Sequence, residues 1–433
     1  MSDFGPVGGG LLTIDAASPL AMSTVAAHGL VDGDRVSIGV PNGATPLAYV
    51  KTTGYPPSQF ALFTDASCTV DLIFAAGAAP LAGTPIVKLA SSDYAVVAGI
   101  NTYPAFSSLQ GPVADAIEFQ QWLLTEAFVP HDQITLVTSP MPVVLGVPPT
   151  PTVVEVSGAF EVLANKAAFQ PLYYLGRRLY IFLSGHGILP TRSGTPNFNE
   201  TALLMANAGP ITLGNHLGAV AYAEWFRAPG VFDEVLLFVD CCRDLKDTVA
   251  LMPPTMIPLT PQRGPAKNFY AAATQLALPS FEKPLGAPLR VRGIFSYALM
   301  EALRSQSLYD ASGMLTCSLL ASQLHSAVPA MQDGQDPQIT PVDPTQDIAI
   351  VKRAAPKPPN LCVTFSDAAL AGKTAVLIGP SYPVPDATHT IDGSPWSITL
   401  KPFVYNLKVP GGPYPNKPFE LTGGEAVQNV QFP

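Results

Sequence analysis

Charge is scarce in this sequence of 433 residues. Asp, Glu, Lys and Arg make up 13% of it, against 48% apolar residues. That balance excludes long disordered acidic or basic tails and supplies ample material for a core. The 23 Lys and Arg are scattered and the net charge is −9. No basic stripe of the kind nucleic-acid binders carry is present. Cysteine is scarce too. Cys68, Cys241, Cys242, Cys317 and Cys362 are odd in number and widely spread, which is not a disulfide framework and suits a reducing compartment. Adjacent Cys241 and Cys242 face opposite ways at a strand end, so no bond between them is expected. No apolar run reaches the ~20 residues of a membrane helix. Met1-Ser2-Asp3-Phe4-Gly5 lacks a basic segment leading into an apolar one, so no secretory signal is expected and the expected location is cytoplasmic.

What the chain does have is proline and glycine, 46 and 35 of them, gathered between short apolar runs. Two of those runs stand out. Leu179-Tyr180-Ile181-Phe182-Leu183 stops at Ser184-Gly185-His186-Gly187, and Val235-Leu236-Leu237-Phe238-Val239 stops at Asp240-Cys241-Cys242-Arg243. Apolar runs of this length, rich in β-branched and aromatic residues, read as fully buried strands. In parallel sheets the chemistry sits just beyond the carboxyl ends of the strands. One strand thus delivers a histidine, and the other a cysteine, to the same sheet edge. That is an arrangement for nucleophilic catalysis.

At ~150 residues per domain the length suggests about three domains. Residues 1–90 read as a small all-β domain, with dense turn signals such as Pro41-Asn42-Gly43 and Tyr55-Pro56-Pro57. From Tyr94 strands alternate with helices, which gives an α/β domain with a largely parallel sheet over 91–353. Residues 190–200 read as a polar loop and Leu245–Pro265 as a long Pro-rich loop. Lys246, Arg263 and Lys267 make residues 245–267 a candidate gate or self-cleavage segment. Ala354-Ala355-Pro356-Lys357-Pro358-Pro359 is a stiff linker, and 354–433 reads as a C-terminal β-sandwich-like domain.

A neutral thiol attacks poorly, so Cys242 needs a base such as His186 within hydrogen-bond reach. Gly185 and Gly187 let backbone and substrate come close, and amides of Gly185, Gly187 and Cys242 are candidate oxyanion donors. The two strand ends, Ser184-Gly185-His186-Gly187 and Asp240-Cys241-Cys242, together resemble the caspase–metacaspase clan of cysteine peptidases. Three further stretches are similar to that clan's landmarks: Val97–Tyr103, Leu109–Ala116 and Gly293–Ala298. They occur in the same order over about 260 residues. The 56 residues between His186 and Cys242 compare with about 50 in caspases.

The resemblance implies a caspase-like α/β/α sandwich with a mostly parallel sheet, flanked by small all-β N-terminal and C-terminal domains. Its Asp-x-Cys pattern selects Cys242 as nucleophile and leaves Cys241 at the variable position. It also implies a substrate pocket from Asp115, Ser184 and Asp240. Two carboxylates there would take Arg or Lys through charge-assisted bonds. The sequence resembles the bacterial metacaspase or orthocaspase branch in this, because true caspases hold Asp with arginines. Arg243 departs from the frequent pattern and sits where it would partly neutralise the pocket.

The implied partner is a protein or peptide with Arg or Lys at the cleavage site, in a bacterial stress, cell-death or antiphage setting. The flanking β domains are candidates to bind a regulator or assembly. No nucleic acid and no membrane span are expected. No cofactor is expected and no metal site, since no His pairs with cysteine at zinc-ligand spacing. The resemblance leaves room for calcium activation, since some members of the clan are activated through carboxylate-rich loops; Asp244, Asp247 and Glu234 lie near the site in sequence, although no segment has calcium-loop spacing. His131, His216, His325 and His389 read as surface or loop residues. Two rival readings are an Asp-specific caspase-like protease and a catalytically weak peptidase-like scaffold.

Overall fold

The computed structural model describes residues 5–14, 21–23, 30, 34–38, 47–51, 59–63, 84–139, 149–192, 195–196, 200–286, 288–310, 312–342, 347–352, 361–379, 385–398, 400, 403–421 and 427–433. Expectations about Cys68, the turns at 41–43 and 55–57, and the linker at 354–359 lie outside the described residues. The chain divides into two compact units, Met1–Ala354 and Ala355–Pro433.

The first unit begins with six strands: β1 (Gly5–Ile14), β2 (Ala21–Ser23), β3 (Arg35–Ile38), β4 (Leu47–Lys51), β5 (Gln59–Phe63) and β6 (Thr84–Lys88). They close into an antiparallel barrel in the order β1-β2-β5-β4-β3-β6, and closure leaves no free edge. Val36, Ile38, Ala48, Val50 and Leu62 are buried apolar residues, at alternate positions within β3 and β4, and Ser37 is buried between the first two.

The α/β part follows, as β7 (Asp93–Gly99), α1 (Pro112–Thr125), β8 (Ile134–Thr138), α2 (Val153–Ala168), β9 (Gly176–Ser184), β10 (Gly187–Arg192), β11 (Thr195–Pro196), β12 (Ala202–Leu204) and β13 (His216–Gly218). After these come α3 (Ala219–Arg227), β14 (Phe232–Asp240), β15 (Asp244–Ala250), β16 (Lys267–Ala272), β17 (Glu282–Leu285), β18 (Arg290–Gly293), α4 (Ile294–Arg304), β19 (Met314–Thr316), α5 (Cys317–Met331), β20 (Gln338–Ile339) and β21 (Ala349–Lys352). The central sheet has the order β20-β16-β14-β9-β7-β8. Its strands are parallel except for β20.

Helices cover both faces, which explains why the strands are apolar throughout rather than alternating. Tyr180, Phe182, Leu236 and Phe238 face α1, α4 and α5 through Phe119, Trp122, Leu299 and Leu324. Ile181, Leu183, Leu237 and Val239 face α2 and α3 through Phe160, Tyr222 and Phe226. Thr152 and Glu155 close a capping box at the start of α2, and Pro112 opens α1 where no amide partner is needed.

Two stretches differ from expectation. The polar loop at 190–200 is partly strand, since β10 runs to Arg192 and pairs with β11 and β12. The supposed loop after Cys242 begins as β15, parallel to β10. Leu245, Thr248 and Ala250 are exposed, so this strand has no apolar period to reveal it. It exists because β10 lies alongside to take its ladder bonds. Lys246 is therefore in a strand. Arg263 is tied to Asp233 and the Gly230 carbonyl, and lies over the Tyr174 ring. The loop expected over 245–265 is thus confined to residues 251–266, which are mostly exposed.

Glu200 is buried under α3, which has no side-chain cap of its own. Its carboxylate accepts from the Thr201, Val220 and Ala221 amides at 2.8–3.1 Å. Burial pushes this carboxyl from 4.5 up to about 7, against the pull of those amides and of Arg243. The folded protein therefore holds the proton more tightly than the unfolded chain does. That stabilisation is complete below about pH 4.5 and is lost as pH rises through about 7. Thermal melts are expected to fall between about pH 5 and about pH 8, and Glu200→Gln should remove on the order of 3 kcal/mol of that fall. Parallel pH slopes for the two proteins would show that another group is responsible.

The second unit has two sheets around one apolar core that includes Leu361, Leu377, Trp396, Tyr405 and Phe432. Among the described residues no helix is long and apolar enough to cross a membrane.

Candidate active site

The site sits where two strands leave one sheet and enter another. β9 and β14 are parallel neighbours in the central sheet, with Ser184 opposite Asp240. Beyond the site β10 and β15 are again parallel neighbours, with Ile188 opposite Asp244. Both pairs are 56 residues apart, so the register is the same on either side of the gap. His186 and Cys242 are 56 apart too. They occupy equivalent positions in the break between two ladders whose strands lie ~4.8 Å apart.

His186 is held by the loop after β7. Its amide donates to the Tyr103 hydroxyl at 2.9 Å, and Nε2 lies 2.8 Å from the Ser107 carbonyl. A carbonyl only accepts, so Nε2 carries the proton and Nδ1 is left as the basic nitrogen. The imidazole packs on Tyr103, ring centroids 4.7 Å apart, and meets the edge of Phe106 at 6.1 Å.

The period of a strand separates the two cysteines. Cys241 continues the odd-numbered positions into the α2–α3 core and is 1% exposed. Cys242 continues the even-numbered positions and faces the cavity. Its Sγ accepts from the Ser280 amide at 3.2 Å and lies 3.5 Å from the Ser280 carbonyl. Burial pushes the Cys242 thiol up, partly offset by the Ser280 amide, so the resting group is a thiol. Burial pushes Cys241 well above its ordinary value. Both are free.

Gly187 packs directly on this pair. A Cβ there would stand 2.2 Å from Cys241 Sγ and 2.6 Å from the Cys242 carbonyl oxygen. Gly187→Ala must push β10 away from residues 241–242. We expect a folded protein destabilised by about 1–3 kcal/mol and at least ~100-fold slower on peptides. Adding Cys241→Ala should not restore it, because the carbonyl contact remains. Assaying the single and double variants checks this, and full activity in either would refute it.

A cavity of about 80 Å³ opens beside Cys242, lined by Ser184, Gly185, His186, Asp240, Ser280, Phe281, Glu282 and Gly293 among others. Asp240 is 5% exposed. It accepts from Ser280 Oγ at 2.8 Å, Ser296 N at 3.0 Å and Ser296 Oγ at 2.6 Å. These partners are neutral. The first turn of α4 also points its amides at the carboxylate, while burial raises its pKa.

Asp115 comes close, as the missing side chain of Gly293 shows. A Cβ on Gly293 would lie 2.1 Å from Asp240 Oδ2 and 3.2 Å from Asp115 Oδ2. Asp115 itself does not line the cavity. Arg292 Nε and the Gly293 amide bind it, and Arg292 also reaches Glu118 at 2.5 Å. Burial pushes the Asp115 carboxyl up to about 7 while Arg292 pulls it down. The second acid on the cavity wall is instead Glu282, whose carboxylate takes the Gln110 and Gly111 amides at 2.9–3.1 Å.

Other expectations are corrected. Arg243 does not enter the pocket. It is 1% exposed and its guanidinium donates to the carbonyls of Glu200 and Thr274 and to Gln338. It follows Cys242 by one residue and so points to the opposite face. Of the three candidate oxyanion donors, the Gly185 amide is bonded to the Asp240 carbonyl at 3.2 Å. Glu234 lies at the far end of β14 on Arg178, roughly 20 Å of strand from Asp240. Asp244 is exposed beside the site, and the side chain of Asp247 is outside the described ones. Among the described residues no three His, Cys, Asp or Glu converge as metal ligands. His216 is fully buried, bonded to the Leu213 carbonyl and the Met252 amide.

Nothing in the sequence pointed to Ser280 and Glu282, which lie in Leu278-Pro279-Ser280-Phe281-Glu282, a stretch without periodicity. Ser107 acts through its carbonyl and leaves no side-chain signal at all. Tyr103 ends a stretch with a family resemblance, but its hydroxyl contact is visible only in three dimensions.

No protein-family model matches the sequence, and no curated protein matches it. Solved structures overlay in part. Caspase-1 from Spodoptera frugiperda gives a TM-score of 0.39 at 14% identity, over 61% of this chain and 92% of that one. A protein from Geobacter sulfurreducens gives 0.37 at 15% identity, over 61% and 97%. A structure described as pro-sf-caspase-1 gives 0.34 at 13% identity, over 58% and 88%. Overlays this loose carry little weight beside the strand registers and side-chain contacts of the chain itself.

Proposed function

We propose that the protein is a caspase-like cysteine endopeptidase that cleaves after Arg or Lys. The observation that carries the proposal is the common 56-residue register on both sides of the gap, with His186 and Cys242, also 56 residues apart, both lining the cavity there. His186 Nδ1 takes the Sγ proton, and the thiolate attacks the scissile carbonyl. The amide of Cys242, with Gly187 beside it, is the donor set for the oxyanion. His186 then gives its proton to the leaving amine, a thioester forms on Cys242, and water hydrolyses it with His186 again as base.

The preference for a basic residue rests on Asp240, whose partners are neutral, and on Glu282 at the cavity wall. Asp115 supports them from behind, with its charge matched by Arg292. That same Arg292 already faces Asp115 and Glu118, which disfavours an acidic substrate residue. The cavity is far smaller than the ~300–1,000 Å³ of ligand pockets, so residues 278–282 must shift when substrate enters. The resemblance extends the proposal to a bacterial stress, cell-death or antiphage protease, with the barrel and the second unit as binding modules for a regulator.

Fluorogenic peptides ending in Arg, Lys or Asp test this, with wild type and His186→Ala, with and without calcium. Arg or Lys cleavage that His186→Ala abolishes is the expected result. Background rates from both proteins across the panel would favour the scaffold reading, and cleavage after Asp alone would refute the acidic pocket. The calcium arm is included because Asp244 adjoins the site.

A further inference from the structure

We propose that Tyr103 is the positioning residue of the His186–Cys242 pair, and that its hydroxyl, bridging the His186 amide to the Leu204 carbonyl, sets where the imidazole stands. The inference rests on the dyad reading above. Tyr103 is 1% exposed, and its hydroxyl accepts from the His186 amide at 2.9 Å while donating to the Leu204 carbonyl at 3.2 Å. It therefore links the loop after β7 to β12 through the residue that carries the base. Burial raises the phenol's pKa, so it stays a donor.

Three features converge on the same ring. Tyr103 lies against the imidazole, centroids 4.7 Å apart. Four residues later the same loop supplies the Ser107 carbonyl to Nε2. Gly185, just before the histidine, has no side chain because the hydroxyl is there, with a Cβ only 2.4 Å from it. The loop is itself anchored. Asn101 Oδ1 accepts from the Val113 amide at 2.9 Å, and its carbonyl accepts from the Leu109 amide at 2.9 Å. The loop thus holds the backbone of His186 at one point and meets its ring through Tyr103, Phe106 and Ser107. Without the hydroxyl the His186 amide and the Leu204 carbonyl lose their shared partner, and the gap between the two ladders is free to relax.

The test uses the full chain and reads both peptide turnover and alkylation of Cys242 by iodoacetamide. Only thiolate alkylates, so at about pH 6.5 the rate reports whether His186 is placed to take the proton. Near pH 10, where hydroxide draws the proton without His186, it reports access to the thiol and its own ionisation, neither of which depends on where the imidazole stands. Asp240, Asp244, Glu282 and Cys241 share the site and are left in place. For Tyr103→Phe we expect kcat to fall about 10- to 100-fold with KM within about two-fold. Alkylation at about pH 6.5 should fall by about ten-fold or more and stay equal to wild type near pH 10. Gly185→Ala, whose methyl would press on the same hydroxyl, should show the same selective loss and covers the case in which Tyr103→Phe does not fold. A wild-type-like Tyr103→Phe beside a slow His186→Ala overturns this proposal alone. So does an equal loss at both pH values. If His186→Ala alkylates like wild type at about pH 6.5, the dyad reading fails and this proposal with it.

Discussion

Cys242→Ala is expected to lower kcat/KM for peptide cleavage by at least about a thousand-fold, whereas Cys241→Ala is expected to keep the rate within about ten-fold. The difference comes from strand parity. All three of Asp240, Cys241 and Cys242 border the cavity, but the Cys241 side chain is 1% exposed and belongs to the core behind Gly187, whereas Cys242 Sγ meets Ser280 on the other side. In the proposed mechanism, removing the Cys242 thiol removes the step that forms the thioester. Removing the Cys241 thiol costs about 1 kcal/mol of packing and leaves the contact of Gly187 with the Cys242 carbonyl in place. Kinetics on one fluorogenic peptide, with mass spectrometry of the iodoacetamide-treated protein, measure both. An active Cys242→Ala protein would overturn the proposed mechanism, and an inactive Cys241→Ala beside it would transfer the role to Cys241.

Arg178→Leu is expected to remove about 3–5 kcal/mol of stability. Arg178 is fully buried at the start of β9. It donates to Glu234 at 2.6 and 2.8 Å, to the Tyr180 hydroxyl at 2.8 Å, and to the carbonyls of Ala349 and Ile350 at 2.5 and 2.6 Å. One guanidinium thus joins β9, β14 and β21 at the end of the sheet away from the cavity. Leucine leaves two buried carbonyls without this donor and Glu234 without its cation. Removing both charges, in Arg178→Leu with Glu234→Leu, should cost less than the single change because no unpaired carboxylate is left. Thermal melts of the two variants decide it. Ser184 is roughly 20 Å along β9 from Arg178, so the folded fraction should keep its kcat. A single variant that melts like wild type would show that water takes over these bonds.

Much of the central sheet was legible in the sequence. Runs such as Leu179–Leu183 and Val235–Val239 are apolar at every position because both faces are buried, and a strand covered on two sides carries that signature in any context. The ends of the runs were legible for the same reason, since polar residues at 184–187 and 240–243 mark where cover stops. β15 was not legible, because an edge strand with exposed side chains is held by backbone bonds to β10 alone. Arg243 was misread for a related reason. Its place in the chain says that it follows Cys242, but the alternation at the strand end turns it toward Glu200 and Gln338.

Local order along the chain was enough to put a histidine and a cysteine at the same edge of one sheet, and their 56-residue spacing matches the register of Ser184 with Asp240 and of Ile188 with Asp244. The charge of the pocket was settled only by folding. Asp115 meets Arg292 across 177 residues, Glu282 reaches Gln110 and Gly111 across 172 and 171, and Ser280 covers Cys242 from 38 residues away. Contacts of that range leave no period and no local pattern, because a hydrogen bond between distant segments constrains two residues and nothing between them.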